Sequence, residues 1–374
     1  MSRLRAPFPW FGGKSRVAHL VWDRFGDCAN YVEPFAGSLA VLLSRPHRQQ
    51  TETVNDLDCY LANFWRALAA NPDAVAEAAD WPVNEADLHA RHLWLVNRVE
   101  FRERMKTDPD FCDPKIAGWW VWGISQWIGS GWCSRPDWTG RTNAGRSESG
   151  IHRKRPMCSA DNDGRGVHSD LGHAGMGVNR QIPHLGNAGR GVNRQIPHLG
   201  DAGRGVNRKI PHLGGGHGGV GKGIFAMSRS RNLLAYFETL ATRLRRVRVC
   251  CGDWSRVMGA SVTVQHSVCG VFLDPPYSAE AGRQPGLYSE DDLVIAHRVR
   301  KWALENGDNP LLRIALCGYD GEHDMPETWE CVAWKAHGGY AHNGVAGNLN
   351  AARERIWFSP HCLRPPTLFD GDAS

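Results

Sequence analysis

The sequence contains no run of about 18 consecutive apolar residues, so we expect no membrane-spanning helix. Its first residues also lack the apolar core of a signal peptide. The 11 cysteines are odd in number and include no Cys-x-x-Cys pair, a pattern that is typical of neither a disulfide framework nor a zinc module. We therefore expect a cytoplasmic protein with reduced thiols, no metal site and no membrane association.

Tryptophan and tyrosine are absent from residues 141–232, although the whole chain has 16 Trp and 7 Tyr. The same stretch has 15 Lys and Arg against 5 Asp and Glu, and it holds 20 of the 42 Gly. Such a composition buries too little apolar surface to offset the entropy cost of ordering the chain. The remaining residues are acidic, with 29 Lys and Arg against 34 Asp and Glu. An acidic body with a basic, Gly-rich insertion indicates an enzyme that acts on a polyanion.

A repeat of 14 residues lies inside the basic stretch. The sequence GVNRQIPHLG, or GVNRKIPHLG in the third copy, begins at residues 177, 191 and 205. Gly and Pro in every copy exclude more than a short turn of helix. Two interpretations stay open, because a flexible low-complexity loop can also follow a phosphate backbone. The cations that would do so are Arg180, Arg194, Arg208 and Lys209.

Strand-like and helix-like segments alternate through the rest of the chain, which predicts an α/β fold with a mostly parallel sheet. The predicted strands cover residues 30–33, 51–54, 247–250, 268–273, 312–317, 331–334 and 355–358. Helices are predicted over 15–25, 39–43, 57–68, in several pieces over 72–106, and over 230–244 and 289–305. Asn84 is the predicted N-cap of one of them, with Leu88, Leu95 and Val99 on a single face.

The tetrapeptide Asp274-Pro275-Pro276-Tyr277 follows an apolar strand, where parallel sheets place their active sites. The two prolines stiffen the turn and hold the Pro275 carbonyl beside the Asp274 carboxylate. Two acceptors held together suit a group with two N–H donors, such as an exocyclic amine. Tyr277 would add an aromatic face on which a base can stack. An ordinary Pro-rich turn is the alternative interpretation.

A second turn, Glu33-Pro34-Phe35-Ala36-Gly37, follows the first predicted strand. A Gly in such a turn lets a ligand approach the backbone. Asp56 ends the next strand, where an acidic residue can accept hydrogen bonds from a ribose. Asp253 ends another strand, and it is either a contact to an adenine amine or a solvated turn residue.

Taken in order, Pro9-Trp10-Phe11-Gly12-Gly13-Lys14, Glu33 to Gly37, Asp56 and Asp274 to Tyr277 resemble the motifs of the DNA adenine methylase family. These enzymes are AdoMet-dependent N6-adenine DNA methyltransferases, and the resemblance covers residues 8–68 and 230–360. It implies a Rossmann-like class I methyltransferase sheet, mostly parallel with one antiparallel strand. Residues 1–70 and 230–374 would form the catalytic domain, 71–140 a Trp-rich helical part of the target-recognition region, and 141–229 a basic insertion.

The resemblance also implies roles for individual residues. Trp10 and Lys14 would lie near the methionine part of AdoMet, with Gly13 in the same segment. The pocket would be completed by Glu33, Pro34, Phe35 and Gly37, by Asp56 at the ribose and by Asp253 at the adenine. One residue departs from the family pattern, because Leu39 stands where a second glycine is common.

For the reaction, the resemblance implies that adenine is flipped out of double-stranded DNA. Asp274 and the Pro275 carbonyl would then accept the two N6 protons while Tyr277 stacks on the ring. Transfer to cytosine N4, transfer to RNA and an inactive DNA-binding relative remain alternatives. Six Trp lie between residues 119 and 138, and we expect them mainly in a helical core; the alternative is that Trp132 or Trp138 wedges between bases. We expect a monomer.

Overall fold

The computed structural model describes residues 4–10, 12–127, 132–133, 230–265, 267–278, 294–334 and 352–364. Within them, no helix is both long enough and apolar enough to cross a membrane. Several sequence-based predictions lie outside the described residues. They concern the repeat, Trp138 and the four cations proposed to follow phosphates, Arg180, Arg194, Arg208 and Lys209.

Seven strands form one mixed sheet in the order β3-β2-β1-β4-β5-β7-β6. Their bounds are β1 Asn30–Glu33, β2 Thr51–Asp56, β3 Val247–Cys251, β4 Cys269–Leu273, β5 Leu312–Tyr319, β6 Glu330–Ala333 and β7 Glu354–Phe358. The first five strands pair in parallel, whereas β7 is antiparallel to both β5 and β6. The predicted fold class is confirmed. The sheet takes strands from both sides of the basic insertion.

The centre of the sheet is covered on both faces, which explains why its strands are nearly continuous apolar runs. All residues of β1 and β4 are buried. In the register of the sheet, Val32 lies between Thr53 and Val271. Parallel pairing sets the carboxyl ends of β1, β2, β3, β4 and β5 along one edge of the sheet.

Eight α-helices lie in the described residues. They are α1 Ala18–Phe25, α2 Cys59–Ala70, α3 Pro72–Ala79, α4 Glu85–Val96, α5 Val99–Thr107, α6 Pro114–Ile124, α7 Ser230–Leu244 and α8 Ile295–Asn306. Side chains that accept hydrogen bonds from first-turn N–H groups begin four of these helices, as capping chemistry predicts. These N-caps are Asp58, Asn71, Asn84 and Asp113. The predicted cap at Asn84 is confirmed.

Two local predictions are wrong. The helix expected over residues 39–43 is absent, and only a 3-10 turn at Leu42–Ser44 is present. Leu39 has a φ angle of 53°, in the left-handed region, so it cannot lie inside a right-handed helix. Val99 is 66% exposed and does not share a face with Leu88 and Leu95, because α4 ends before it and Val99 begins α5.

The Trp-rich segment is largely core, as expected. Trp120, Trp122 and Trp132 are buried, and the Trp132 indole donates to the Trp120 carbonyl at 3.1 Å. Trp132 therefore packs inside the protein instead of projecting as a wedge. The Trp120 ring also lies 6.4 Å from the Trp10 ring, so this helical layer reaches the edge of the sheet where the candidate site lies.

Candidate active site

The predicted site residues converge on the carboxyl edge of the sheet. Glu33 ends β1, Asp56 ends β2 and Asp274 follows β4, which is the neighbour of β1. We divide the site into two halves and name each after the role that the resemblance implies for it. The acceptor half comprises Lys14, Asp274, Tyr277 and Glu354, and the cofactor half comprises Trp10, Glu33, Gly37, Asn55 and Asp56.

Lys14 connects the N-terminal segment to the acceptor half. It is 4% exposed, and its Nζ lies 2.9 Å from Asp274 Oδ1 and 4.0 Å from Glu354 Oε2. Nζ also donates to the Gly12 carbonyl at 3.1 Å. Burial opposes the charge of Lys14, but the two carboxylates outweigh it and raise the pKa of the ammonium. Lys14 therefore stays protonated between two acids.

Asp274 retains one uncommitted oxygen. Its Oδ1 faces Lys14 and the Tyr277 hydroxyl, whereas Oδ2 accepts no hydrogen bond from any residue that the structure describes. Burial raises the pKa of Asp274, and the attraction of Lys14 opposes that rise. The side chain is still 20% exposed.

Tyr277 is more enclosed than its expected role in base stacking requires. Its ring is buried and meets the Tyr319 ring edge-on at 4.5 Å between centroids. Its hydroxyl donates to Glu354 Oε2 at 2.7 Å and lies 3.4 Å from Asp274 Oδ1. Stacking of a base on Tyr277 stays a prediction.

Sequence reasoning missed Glu354, the first residue of β7. Because β7 is antiparallel, its first residue lies at the same edge as the last residues of the parallel strands, opposite Tyr319 of β5. The sequence does show a charged residue at the start of an apolar strand. This pattern indicates a site residue only when the direction of the strand in the sheet is known.

Glu322 is a second missed residue, and it fixes the turn after β4. It accepts the Ser278 N–H at 2.5 Å and the Tyr319 N–H at 2.8 Å, and it is buried. One carboxylate thus ties the loop that carries Asp274 and Tyr277 to the end of β5. Pro275 and Pro276 lie within this tied loop.

In the cofactor half, Asp56 and Gly37 shape the loop after β1. The Gly37 N–H donates to Asp56 Oδ2 at 3.0 Å, and the Asp58 N–H donates to Oδ1 at 2.9 Å. Gly37 has a φ angle of 47°, and a Cβ atom there would lie 2.7 Å from Trp10 Nε1. Only glycine suits both the backbone conformation and the close approach of the indole.

Asn55 was also missed, and it joins two loops to the end of β2. Its buried amide donates to the Pro34 carbonyl at 3.1 Å and to the Gly252 carbonyl at 2.9 Å. The loops after β1 and β3 are thereby fastened to the end of β2. An amide next to Asp56 at the end of a strand was the sequence pattern that could have indicated it.

In the cofactor half Glu33 is buried and Asp56 is half-buried, and neither carboxyl group forms an ion pair with a described residue. Burial raises the pKa of Asp56 to about 7, against hydrogen bonds from the Gly37 and Asp58 N–H groups. Burial likewise raises the pKa of Glu33 to about 8, against hydrogen bonds from the Tyr31 hydroxyl and the Leu42 N–H. A cation bound here would favour their ionised forms.

The other predicted cofactor residues have mainly local contacts. Asp253 is about half exposed and caps the 3-10 turn Trp254–Val257 through the Ser255 N–H at 2.9 Å. Although partial burial acts to raise the pKa of Asp253, hydrogen bonds from Ser255 and the charge of Arg298 hold it below its usual range. Phe35 stacks on Trp254 with centroids 6.1 Å apart, and Gly13 precedes the 3-10 turn that contains Lys14. A contact of Asp253 to adenine stays a prediction.

Residues 10–112 match the family model of the D12 class N6 adenine-specific DNA methyltransferases. This match supports the predicted family. The D12-class match includes Lys14 and the cofactor half, whereas Asp274, Tyr277 and Glu354 lie outside it. No curated protein matches the chain. The D12-class family indicates an N6 adenine-specific DNA methyltransferase.

The cofactor half fits AdoMet by its chemistry. AdoMet carries a cationic sulfonium and an ammonium group, and buried carboxyls with a raised pKa gain from such charges. Asp56 is placed beside the Gly37 turn, where a ligand can approach the backbone. In the part of the chain that the structure describes, no group of three or more His, Cys, Asp or Glu could hold a metal ion.

Proposed function

We propose that this protein transfers the methyl group of AdoMet to N6 of an adenine that has been flipped out of double-stranded DNA. The observation that carries the proposal is the free Oδ2 of Asp274, on a carboxylate whose other oxygen is held by Lys14. When bound, AdoMet supplies a methyl group activated by its sulfonium sulfur.

The acceptor half would bind the adenine amine. Asp274 Oδ2 and the Pro275 carbonyl would accept hydrogen bonds from the two N6–H groups, which orients the nitrogen lone pair towards the methyl group. Burial raises the pKa of Asp274, and the charge of Lys14 opposes that rise and so favours the carboxylate form that accepts hydrogen bonds. The base must leave the duplex because pairing hides N6. Orientation and fixed charges then supply most of the rate.

The cofactor half would hold AdoMet. Asp56 would accept the ribose hydroxyls, Trp10 and Lys14 would lie towards the methionine part, and Glu33 would line the pocket. Pro34, Phe35 and Gly37 form the wall, which Asn55 holds in place through the Pro34 carbonyl. Asp253 would reach the adenine of the cofactor only by giving up part of its contact with Ser255.

The catalytic domain would comprise residues 1–70 and 230–374, with residues 71–140 and 141–229 as the target-recognition region. The net charge of +10 in residues 141–232 supports a DNA contact there, because phosphates attract such a segment at any sequence. We assign Arg180, Arg194, Arg208 and Lys209 to the phosphates. The cysteines of the described residues are free thiols, as expected for a cytoplasmic protein.

The proposal is tested by incubating the protein with labelled AdoMet and duplex DNA, single-stranded DNA or RNA, followed by digestion to nucleosides. Label in N6-methyl-2′-deoxyadenosine from duplex DNA supports it. Label in N4-methyl-2′-deoxycytidine, or label only in RNA, rejects it. DNA binding without any label identifies an inactive relative.

A further inference from the structure

The Tyr277 hydroxyl has one proton and two carboxylates within reach. Its oxygen lies 2.7 Å from Glu354 Oε2 and 3.4 Å from Asp274 Oδ1. The first distance is that of a strong hydrogen bond to a charged acceptor, whereas the second is too long for one. The proton is therefore directed to Glu354 and away from Asp274.

Glu354 is buried and contacts several residues of the site. It is 6% exposed at the start of β7, where it pairs with Tyr319, and its Oε2 lies 4.0 Å from Lys14 Nζ. Tyr277 in turn packs edge-on against Tyr319. Glu354 thus touches the two residues that contact Asp274 without touching Asp274 itself.

We propose that Glu354 is a positioning residue of the acceptor half. It accepts the hydrogen bond of the Tyr277 hydroxyl, which holds the ring in place and leaves the negative charge of Asp274 for the substrate amine. If Glu354 loses its acceptor oxygen, the Tyr277 hydroxyl turns to Asp274 Oδ1 and competes with the amine for that charge. The role in catalysis rests on the proposed methyl transfer, whereas the role in orienting Tyr277 does not.

The first test measures single-turnover methyl transfer and AdoMet affinity in two variants. We expect Glu354→Ala to slow transfer about 10- to 100-fold, since one hydrogen bond to a charged group is lost and another misdirected. AdoMet affinity should change by less than about threefold, because the defect lies in the acceptor half. Glu354→Gln keeps an acceptor oxygen and should restore most of the rate. Transfer at the wild-type rate in Glu354→Ala, or equal rates in the Ala and Gln variants, overturns the proposal.

A double-mutant cycle separates positioning from general structural support. If Glu354 acts through the Tyr277 hydroxyl, Glu354→Ala should have little further effect in a Tyr277→Phe background. Equal slowing in both backgrounds shows a role that does not pass through Tyr277 and contradicts the proposal. If Glu354→Ala does not fold, Glu354→Met fills similar space without an acceptor oxygen and takes its place.

Crystal structures of the wild type and of the Glu354→Ala variant test the orientation of Tyr277 without an activity measurement. In the variant without the acceptor, the distance from the Tyr277 hydroxyl to Asp274 Oδ1 should fall from 3.4 Å to hydrogen-bond length. A Tyr277 ring that keeps its place and distance overturns the inference even if the enzyme is active. A wild-type protein that methylates no adenine refutes the proposed function alone, and this distance still decides the role of Glu354.

Discussion

The two halves of the site hold their buried carboxyl groups in different ways. In the cofactor half, Glu33 and Asp56 receive hydrogen bonds from neutral donors, which are a tyrosine hydroxyl and backbone N–H groups. In the acceptor half, Asp274 and Glu354 share the ammonium group of Lys14. The acceptor half therefore contains its own cation, and among the described residues the cofactor half contains none.

Under the proposed function, this difference would match one ligand to each half. A cation bound to the cofactor half would compensate carboxyl groups whose pKa values burial has raised to about 8 and about 7. The acceptor half already balances much of its charge and suits a neutral hydrogen-bond donor. A cationic methyl donor and a neutral adenine amine meet these two requirements.

We expect the largest effect on the rate of methyl transfer from removing the Asp274 carboxylate. Asp274→Ala should lower methyl transfer by about 10³-fold or more, because the main charged acceptor of the amine is lost. AdoMet affinity, measured by calorimetry, should stay within about threefold. The exposed Asp324 provides a matched control, since Asp324→Ala removes a carboxylate that lies outside the site. A large loss of AdoMet affinity in Asp274→Ala alone would break the division into halves.

Removing the cation of the acceptor half should lower stability. Lys14→Met leaves two buried carboxylates without their ammonium partner, and we expect a loss of about 3 kcal/mol in the free energy of unfolding. Urea denaturation at pH 7 measures it. The loss should shrink as the pH falls towards 5, because protonation of the carboxyl groups then replaces the missing cation. An unchanged free energy of unfolding would mean that Lys14 does not balance this half.

The cofactor half should give AdoMet binding a pH dependence. Glu33 and Asp56 are protonated below pKa values of about 8 and about 7, and a cation prefers their ionised forms. Affinity should therefore rise about tenfold from pH 5.5 to 7.5 in titration calorimetry.

The free protein should respond to pH in the opposite sense. The pKa values of both groups are higher in the folded state than the ordinary 4.5 and 3.8, so its stability should fall as the pH rises from about 4 to about 8. In the binding experiment, Asp56→Asn should reduce the increase of AdoMet affinity between pH 5.5 and 7.5. If the AdoMet affinity of the wild type does not change with pH, the ionisation of these carboxyl groups is not coupled to cofactor binding.

The smallest expected effect is on stability, and it concerns Leu39, which follows Gly37 of the cofactor half by two residues. Leu39 is buried and has a φ angle of 53°. Leu39→Gly and Leu39→Ala lose similar packing, but glycine alone relieves the left-handed strain. We expect the Gly variant to be more stable than the Ala variant by about 1 kcal/mol in urea denaturation. Leu68, buried within α2, is the control, because there the order should reverse. The same order at both positions would contradict strain at Leu39.

Sequence patterns predicted those features that depend on neighbouring residues. The seven strands lie where apolar runs end at turn residues, and Asp274 follows β4 as its tetrapeptide indicated. The turn at Gly37 was also predicted, but the helix after it was not observed. Its residues have suitable helical spacing, yet Leu39 adopts a conformation that no pattern of hydrophobicity reveals.

Asn55, Glu322 and Glu354 were not identified from the sequence, because each has a partner that is distant along the chain. Glu354 lies 77 positions from Tyr277, and Asn55 lies 197 from Gly252. By itself, the sequence determined the class of fold and indicated the family and a set of candidate site residues, since these follow from local patterns and short motifs. Only the tertiary structure decided which carboxylates share a cation and which oxygen of Asp274 stays free. Both depend on the order and direction of the strands, which bring distant side chains to a single edge.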